Sequence, residues 1–198
     1  MRVLIACEMS GRVRDAFKAL GHDAWSCDIL PTEVAGNHIQ GDALEVMTWG
    51  WDLMIAHPPC THLAVSGAKH FWRKQKEQEE SLKFVQALMN APIPRIVIEN
   101  PVSVISSRIR KPDQIIQPWM FGDEYQKTTC LWLKNVPLLQ PTKIVGKGEF
   151  VVTPSGKRLP KWYSDNKSAK NRSMTFPGIA AAMADQWSKI VVEQLEMF

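Results

Sequence analysis

The segment Trp51-Asp52-Leu53-Met54-Ile55-Ala56-His57-Pro58-Pro59-Cys60-Thr61 joins a hydrophobic run to a proline turn that carries a cysteine. Residues 51–56 have the hydrophobic character of a buried strand, and Cys60 follows where that strand stops. A second run, residues 95–98, ends at Glu99-Asn100-Pro101. Because open α/β sheets bind ligands beyond the carboxyl ends of their strands, we expect Cys60 and Glu99 to share one cleft.

Strand and helix signals alternate along the rest of the chain. Further strands are predicted at residues 3–7, 22–27 and 38–40, and helices at residues 11–20, 71–89 and 178–195. A short helix at residues 102–109 and a late strand pair, residues 114–121 with 129–134, complete the pattern. This alternation predicts an α/β fold in which a mainly parallel sheet is flanked by helices.

Length and composition favour a single domain in the cytoplasm. The chain has 198 residues, 45% of them hydrophobic, which is enough for one core. Glu8 and Arg12 interrupt the first hydrophobic run, so it predicts a strand and not a signal peptide. No run approaches the roughly 18 apolar residues needed to span a bilayer, and we therefore expect no membrane association.

The cysteines and histidines do not form a metal motif. Cys7, Cys27, Cys60 and Cys130 lie far apart without a Cys-x-x-Cys pair, which predicts neither a disulfide framework nor a zinc site and fits a reducing compartment. His57, Cys60 and His62 are close in sequence, but no fourth ligand accompanies them. The sequence therefore predicts no metal.

A basic segment at about residues 143–170 is predicted to be an irregular insertion on the domain, because four prolines fall within or beside it. The net charge of the whole chain is +4. The basic residues of this region are Lys143, Lys147, Lys157, Arg158, Lys161, Lys167, Lys170 and Arg172, against only Glu149 and Asp165. Trp162 and Tyr163 lie among them, and this mixture suits phosphates and stacked bases. A solvated loop is the alternative interpretation.

Cys60 and Glu99 together suggest a reaction on a pyrimidine. A thiolate that adds to carbon 6 of cytosine makes carbon 5 nucleophilic, provided that an acid hydrogen-bonds or protonates the ring nitrogen N3. In this hypothesis Cys60 is the nucleophile and Glu99 is the acid.

On these residues the chain resembles the cytosine carbon-5 DNA methyltransferases, and in particular their short relatives of phage type. In that family a Pro-Cys turn after the fourth strand carries the nucleophile, and a Glu-Asn pair after the fifth strand carries the N3 partner. Pro59-Cys60 and Glu99-Asn100 match these motifs. The resemblance implies a Rossmann-like methyltransferase fold and methyl transfer to carbon 5 of cytosine in DNA through a covalent cysteine adduct. It also implies that Pro59 and Asn100 contact the substrate.

The resemblance implies S-adenosylmethionine as the cofactor. The family binds it at a small-residue turn after strand one and with acidic residues after strands two and three, where this chain has Glu8-Met9-Ser10-Gly11, Asp28 and Asp42. Asp28 is then expected to accept from the ribose hydroxyls and Asp42 from the adenine amino group. Pro58 is expected to border the cofactor, and residues 171–178 resemble the last motif, which completes the site.

The chain departs from the family pattern in three places. Its first turn is poorer in glycine and contains Glu8. The family's Gln-x-Arg-x-Arg motif is absent, and Gln126-Lys127-Thr128-Thr129 is the nearest candidate. Lys127 would supply a charge to the substrate without the planar fork of an arginine, and Arg172 is a second expected substrate contact. Only residues 143–170 are available for target recognition.

These departures leave alternatives open. Target selection is loose or relies on a partner, or the substrate is single-stranded nucleic acid or a free cytosine nucleotide. A catalytically inactive nucleic-acid-binding relative is a further possibility. Each candidate residue also has a structural interpretation: Cys60 as a buried cysteine of a proline turn, Glu99 as a helix cap, and Asp28 and Asp42 as turn formers. The target sequence and the oligomeric state are not specified by the sequence.

Overall fold

A seven-stranded, mostly parallel sheet forms the centre of the protein in a computed structural model that describes residues 1–166 and 168–189. The strands are β1 (Arg2–Ala6), β2 (Asp23–Asp28), β3 (His38–Gln40), β4 (Leu53–Ala56), β5 (Arg95–Pro101), β6 (Gln114–Ile116) and β7 (Thr129–Lys134). They lie in the order β3-β2-β1-β4-β5-β7-β6, and only β7 pairs in antiparallel fashion, with β5 and with β6. The predicted α/β fold with a mainly parallel sheet is confirmed.

The central strands are hydrophobic because helices cover both faces of the sheet. Leu4 and Met54 pack into the core on one face, and Val3 and Leu53 pack into the core on the other. All four residues of β4 are buried. This explains why the residues of β4, 53–56, are continuously apolar and do not alternate with polar ones.

The helices are α1 (Arg12–Ala19), α2 (Ala43–Val46), α3 (Gln75–Met89), α4 (Ile105–Arg108), α5 (Lys161–Asp165), α6 (Ala169–Ser173) and α7 (Pro177–Ser188), with 3-10 helices at Val65–Arg73 and Pro118–Met120. α1 and α7 pack on one face of the sheet through Phe17 and Met183. α3 covers the opposite face through Leu82 and Val85. Within the described ranges, no helix has the length and apolar character needed to cross a membrane.

The boundaries differ from prediction where proline or local backbone geometry intervenes. The late strand pair forms, but β6 ends at Ile116 because Pro118 has no N–H to donate to a ladder. The predicted helix at residues 71–89 begins instead at Gln75, since Lys74 has a non-helical backbone with φ −129° and ψ 33°. The part of the predicted last helix beyond residue 189 lies outside the described residues.

The basic segment contains more regular structure than its prolines suggested. Two short antiparallel strands, β8 (Phe150–Val152) and β9 (Arg158–Pro160), form a hairpin that leads directly into α5. Gly156 adopts a φ of 77° in the connecting turn, which a residue with a side chain rarely accommodates. Pro160 stands at the end of β9, where its missing N–H does not break a ladder.

Candidate active site

A cleft of about 610 Å³ opens at the carboxyl ends of the central strands. Ten predicted site residues line it: Glu8, Ser10, Asp28, Pro58, Pro59, Cys60, Glu99, Asn100, Lys127 and Arg172. Gly11 and Asp42 do not. The volume lies in the range of small-molecule sites. The strand topology thus gathers residues from distant parts of the sequence at one edge of the sheet.

Cys60 and Glu99 face this cleft from neighbouring parallel strands. Ala56, the last residue of β4, pairs with Ile98 of β5, so the turn after β4 lies beside Glu99. Cys60 begins a helical turn, in which its carbonyl accepts from the N–H of Leu63 at 3.0 Å and of Ala64 at 2.9 Å. The thiol is half-buried. Burial and the charge of Glu99 raise the pKa of Cys60 above its ordinary value, although its own backbone N–H and Lys127 oppose this shift.

The Glu99 carboxylate is held in the cleft by His57. The Nδ1 atom of His57 lies 3.1 Å from Glu99 Oε2, and their side chains are 10% and 12% exposed. Burial on its own would raise the pKa of Glu99, but the His57 hydrogen bond and the charge of Lys127 lower it overall, with a smaller contribution from the Thr129 hydroxyl. Glu99 is therefore ionised at neutral pH, and His57 Nδ1 is the donor of the pair.

Glu99 does not cap a helix in this structure. It lies within β5 and pairs with Leu131 of β7, and the next helix, α4, begins only at Ile105. Val104, at the N-cap of α4, makes no capping hydrogen bond through its side chain. The structural interpretation of Glu99 as a cap is therefore wrong.

The contact between His57 and Glu99 was not predicted from the sequence, where His57 was considered only as a metal ligand. The signal that would have revealed it is strand register. If two parallel strands are neighbours, the residue after the end of the first lies beside a residue near the end of the second. The Nε2 atom of His57 is buried and has no partner among the described residues. Within those residues, no group of three or more His, Cys, Asp or Glu side chains is arranged to hold a metal.

Asn100 ties the proline turn to β5. Its Nδ2 donates to the carbonyl of Pro58 at 2.8 Å, and the residue is 1% exposed. The Pro58-Pro59-Cys60 turn is thereby fixed relative to Glu99, the preceding residue on β5. Asn100 also lines the cleft, and its Oδ1 atom is buried without a partner in the described part of the chain.

Glu8 is engaged with the start of α1. Its Oε1 accepts from the Val13 N–H at 2.8 Å and from the Ser10 hydroxyl at 3.2 Å, and its Oε2 accepts from the Arg14 N–H at 3.3 Å. A carboxylate is stabilised at a helix N-terminus, where N–H groups lack partners within the helix. Gly11 has a φ of 70°, and a Cβ there would lie 2.4 Å from the Arg14 guanidinium.

The two predicted ribose and adenine partners lie in different surroundings. Asp28, at the end of β2, lines the cleft, and its Oδ1 accepts from the Leu30 N–H at 2.9 Å. Asp42 is the N-cap of α2, and its Oδ1 accepts from the Leu44 N–H at 2.9 Å. The cleft therefore includes the first carboxylate but not the second, whose turn-forming interpretation agrees with this contact.

The segment of residues 171–178 lies across the cleft and joins its two sides. Lys127 Nζ donates to the Met174 carbonyl at 3.2 Å. One residue further along this segment, the main-chain oxygen of Thr175 accepts a hydrogen bond from the guanidinium of Arg12, in α1, at 2.9 Å. The segment therefore connects the β1 side of the cleft with the β7 side.

Charge is unevenly distributed along the cleft. Glu8, Asp28 and Glu33 line it near the ends of β1 and β2. Lys127 and Arg172 line it on the other side of Cys60, where β5 and β7 lie. One side of the cleft thus suits a cationic ligand, and the other suits an anionic one.

Comparison with known proteins finds likenesses among solved structures. No family model matches the sequence, and no curated protein matches it. A solved structure from E. coli, described as a "putative DNA modification methyltransferase encoded within prophage Cp-", matches with a TM-score of 0.49 and 12% sequence identity. The match covers 74% of this chain and 52% of that one, so the chain spans about half the length of its neighbour. A likeness at this level carries no functional argument.

Proposed function

We propose that this protein is an S-adenosylmethionine-dependent DNA methyltransferase that modifies carbon 5 of cytosine through a covalent adduct on Cys60. The observation that carries the proposal is that Cys60 and Glu99 line one cleft, from the ends of adjacent parallel strands. Methyl transfer to carbon 5 of cytosine requires a nucleophile for carbon 6 and an acidic group at N3, and Cys60 and Glu99 are of these two kinds.

The acidic side of the cleft suits the methyl donor. S-adenosylmethionine carries a sulfonium and an ammonium group, and Glu8, Asp28 and Glu33 provide negative charge on that side. Asp28 would hold the ribose, because its Oδ1 serves the Leu30 N–H and its other oxygen is able to accept from a hydroxyl. When bound, the cofactor supplies an electrophilic methyl group.

Cys60 performs the covalent step. Its thiolate adds to carbon 6 of cytosine, and the electrons of the C5–C6 double bond move toward carbon 5 and N3. Carbon 5 would then take the methyl group, whose bond to the sulfonium sulfur of the donor breaks to leave a neutral thioether, and would lose its proton to water. The electrons of that C–H bond restore the double bond, and the thiolate leaves carbon 6.

Glu99 holds the base by its Watson–Crick edge. As an ionised group in the free protein, it accepts a hydrogen bond from the exocyclic amino group of cytosine. To donate to N3 as charge develops there, it must take up a proton when the base enters. Lys127 opposes the charge of Glu99 and lowers the pKa of the Cys60 thiol, so it favours the thiolate beside an anionic carboxylate.

Covalent trapping tests the proposal. A DNA oligonucleotide with 5-fluorocytosine retains the enzyme, because fluorine at carbon 5 cannot leave as a proton does. With S-adenosylmethionine present, we expect mass spectrometry to find the adduct on Cys60 of the wild type and none with Cys60→Ser. Cys130→Ala is the matched control, since Cys130 is a buried cysteine outside the cleft lining.

Two results would count against the proposal. If calorimetry shows that the cofactor binds but no cytosine substrate gives an adduct, the carbon-5 mechanism is wrong. If the cofactor does not bind at millimolar concentration, a nucleic-acid-binding protein without this activity is favoured. Parallel reactions with duplex DNA, single-stranded DNA and deoxycytidine monophosphate identify the substrate.

A further inference from the structure

An aromatic cluster forms one wall of the cleft. Trp162 contacts Tyr163 and Phe176 edge-on, with ring centroids 6.0 Å and 5.5 Å apart. Tyr125 packs against Phe176 at 5.4 Å. Trp162 and Tyr163 line the cleft together with Cys60, and Tyr163 remains 41% exposed. The hairpin and α5 therefore contribute an accessible aromatic surface to the candidate active site.

This wall is attached to the segment that carries Lys127. The indole N–H of Trp162 donates to the carbonyl of Gln126 at 2.6 Å. Lys127 follows, and its ammonium lies 5.9 Å from the centre of the Phe176 ring. A base stacked on this wall would thus lie near Lys127, whose charge lowers the pKa of both Cys60 and Glu99.

Positive charge accompanies the aromatic rings. The guanidinium of Arg172 lies over the Tyr163 ring at 4.7 Å from its centre. Lys157, Arg158 and Lys161 occur just before α5 or at its start, and Lys161 pairs with Asp165 of the same helix at 2.6 Å. Aromatic faces beside cations are the combination that binds single-stranded nucleic acid, whose bases stack and whose phosphates need neutralising.

The depth of the site favours a strand whose bases are already free. Glu99 is only 12% exposed, so a target base must enter the cleft completely to reach it. A duplex would first have to release that base at a cost in unpairing and unstacking, and a single strand would not. The Tyr163 wall offers a stacking surface to a neighbouring base.

We propose that the surface formed by Trp162, Tyr163 and Arg172 binds single-stranded DNA, with a base beside the target cytosine stacked on Tyr163. This inference rests on the proposed function for the identity of the target base. The inferred substrate is a single strand of DNA. A free nucleotide is not inferred, because a mononucleotide has no neighbouring base to stack, and a duplex would first have to release the target base.

Fluorescence anisotropy tests this site without requiring catalysis. The probe is a fluorescein-labelled DNA strand of 12 nucleotides with one central cytosine, measured alone and annealed to its complement. We expect the single strand to bind at least roughly tenfold more tightly than the duplex. Tyr163→Leu should weaken single-strand binding by roughly 5- to 100-fold, the range expected for one stacked base. Tyr163→Trp should restore it.

Trp49→Leu is the control variant. Trp49 is 53% exposed and does not line the cleft, so its loss should leave the affinity unchanged. Equal affinity for single strand and duplex, or wild-type binding by Tyr163→Leu, would overturn the inference. Trapping on Cys60 is scored separately. An adduct without dependence on Tyr163 leaves the proposed function standing and removes this site, whereas strand binding that depends on Tyr163 without any adduct contradicts the proposed function.

Discussion

Replacing Glu8 with glutamine tests whether this carboxylate belongs to the architecture of the cleft. Glu8 is 5% exposed, and its two oxygens accept from two N–H groups of α1 and from the Ser10 hydroxyl. Glutamine has the same shape but only one acceptor oxygen. Its amide NH₂ group would face one N–H donor, so that a hydrogen bond is lost and two donors oppose each other.

The expected magnitude follows from these contacts. Leaving a buried donor without its acceptor costs about 1–3 kcal/mol. Loss of the negative charge from the helix N-terminus adds about 0.3–1 kcal/mol, and up to ~2 kcal/mol where the site is partly buried. We therefore expect Glu8→Gln to lower the free energy of unfolding by about 2–4 kcal/mol. For a chain of this size, this corresponds to a fall in Tm of roughly 4–16 °C.

Urea denaturation and thermal melting measure this effect, and Glu45→Gln is the control. Glu45 is an exposed carboxylate in the first turn of α2, so its replacement should change stability by only about 0.5 kcal/mol. If Glu8→Gln is as stable as the wild type, the reasoning is refuted. A stable variant that binds S-adenosylmethionine more weakly would show instead that Glu8 serves the ligand and not α1.

Three other changes have defined outcomes. Alkylation of Cys60 by iodoacetamide, mapped by mass spectrometry, should shift to lower pH in Glu99→Gln and to higher pH in Lys127→Met, because Glu99 raises the pKa of the thiol and Lys127 lowers it. Folding lowers the pKa of Glu99, so the stability that this group contributes is present above the ordinary value of 4.5 and is lost as the pH falls below it. In denaturation experiments, the free energy of unfolding of Glu99→Gln should therefore fall less steeply than that of the wild type as the pH is lowered. Gly178→Ala should destabilise the protein by about 1–3 kcal/mol or more, since its Cβ would clash with the Phe121 carbonyl, and a wild-type Tm would contradict this packing.

The sequence was sufficient to predict the sheet and the approach of Cys60 to Glu99. Both depend on hydrophobic runs that end at polar residues, and this pattern is local. The parallel order of the central strands then brings the two residues to one edge without any knowledge of side-chain contacts. Glu8 and Asp28 reach the same cleft for the same reason, because Asp28 is the last residue of β2 and Glu8 comes just after β1.

Contacts between distant segments could not be predicted in this way. The bond from His57 to Glu99 depends on the register of two strands, and hydrophobic periodicity does not specify register in strands that are buried on both faces. The bond from Trp162 to Gln126 joins residues 36 positions apart through irregular chain. Asp42 is a different case. Its place after the third strand suggested a ligand contact, but the start of α2 engages it locally.

The contacts of Glu8 give a reason in the local structure for a carboxylate at its position, whereas the secondary structure around Glu99 does not. The carboxylate of Glu8 satisfies the N–H groups of α1, which is a sufficient structural reason for its presence. Glu99 lies within a strand and serves no helix, and His57 and Lys127 outweigh the desolvation cost of burying its charge. The β5 ladder uses main-chain atoms alone, so pairing with β7 does not require a carboxylate at this position. A buried carboxylate that neither a helix nor the ladder requires, in the same cleft as Cys60, agrees with the role proposed for Glu99 above.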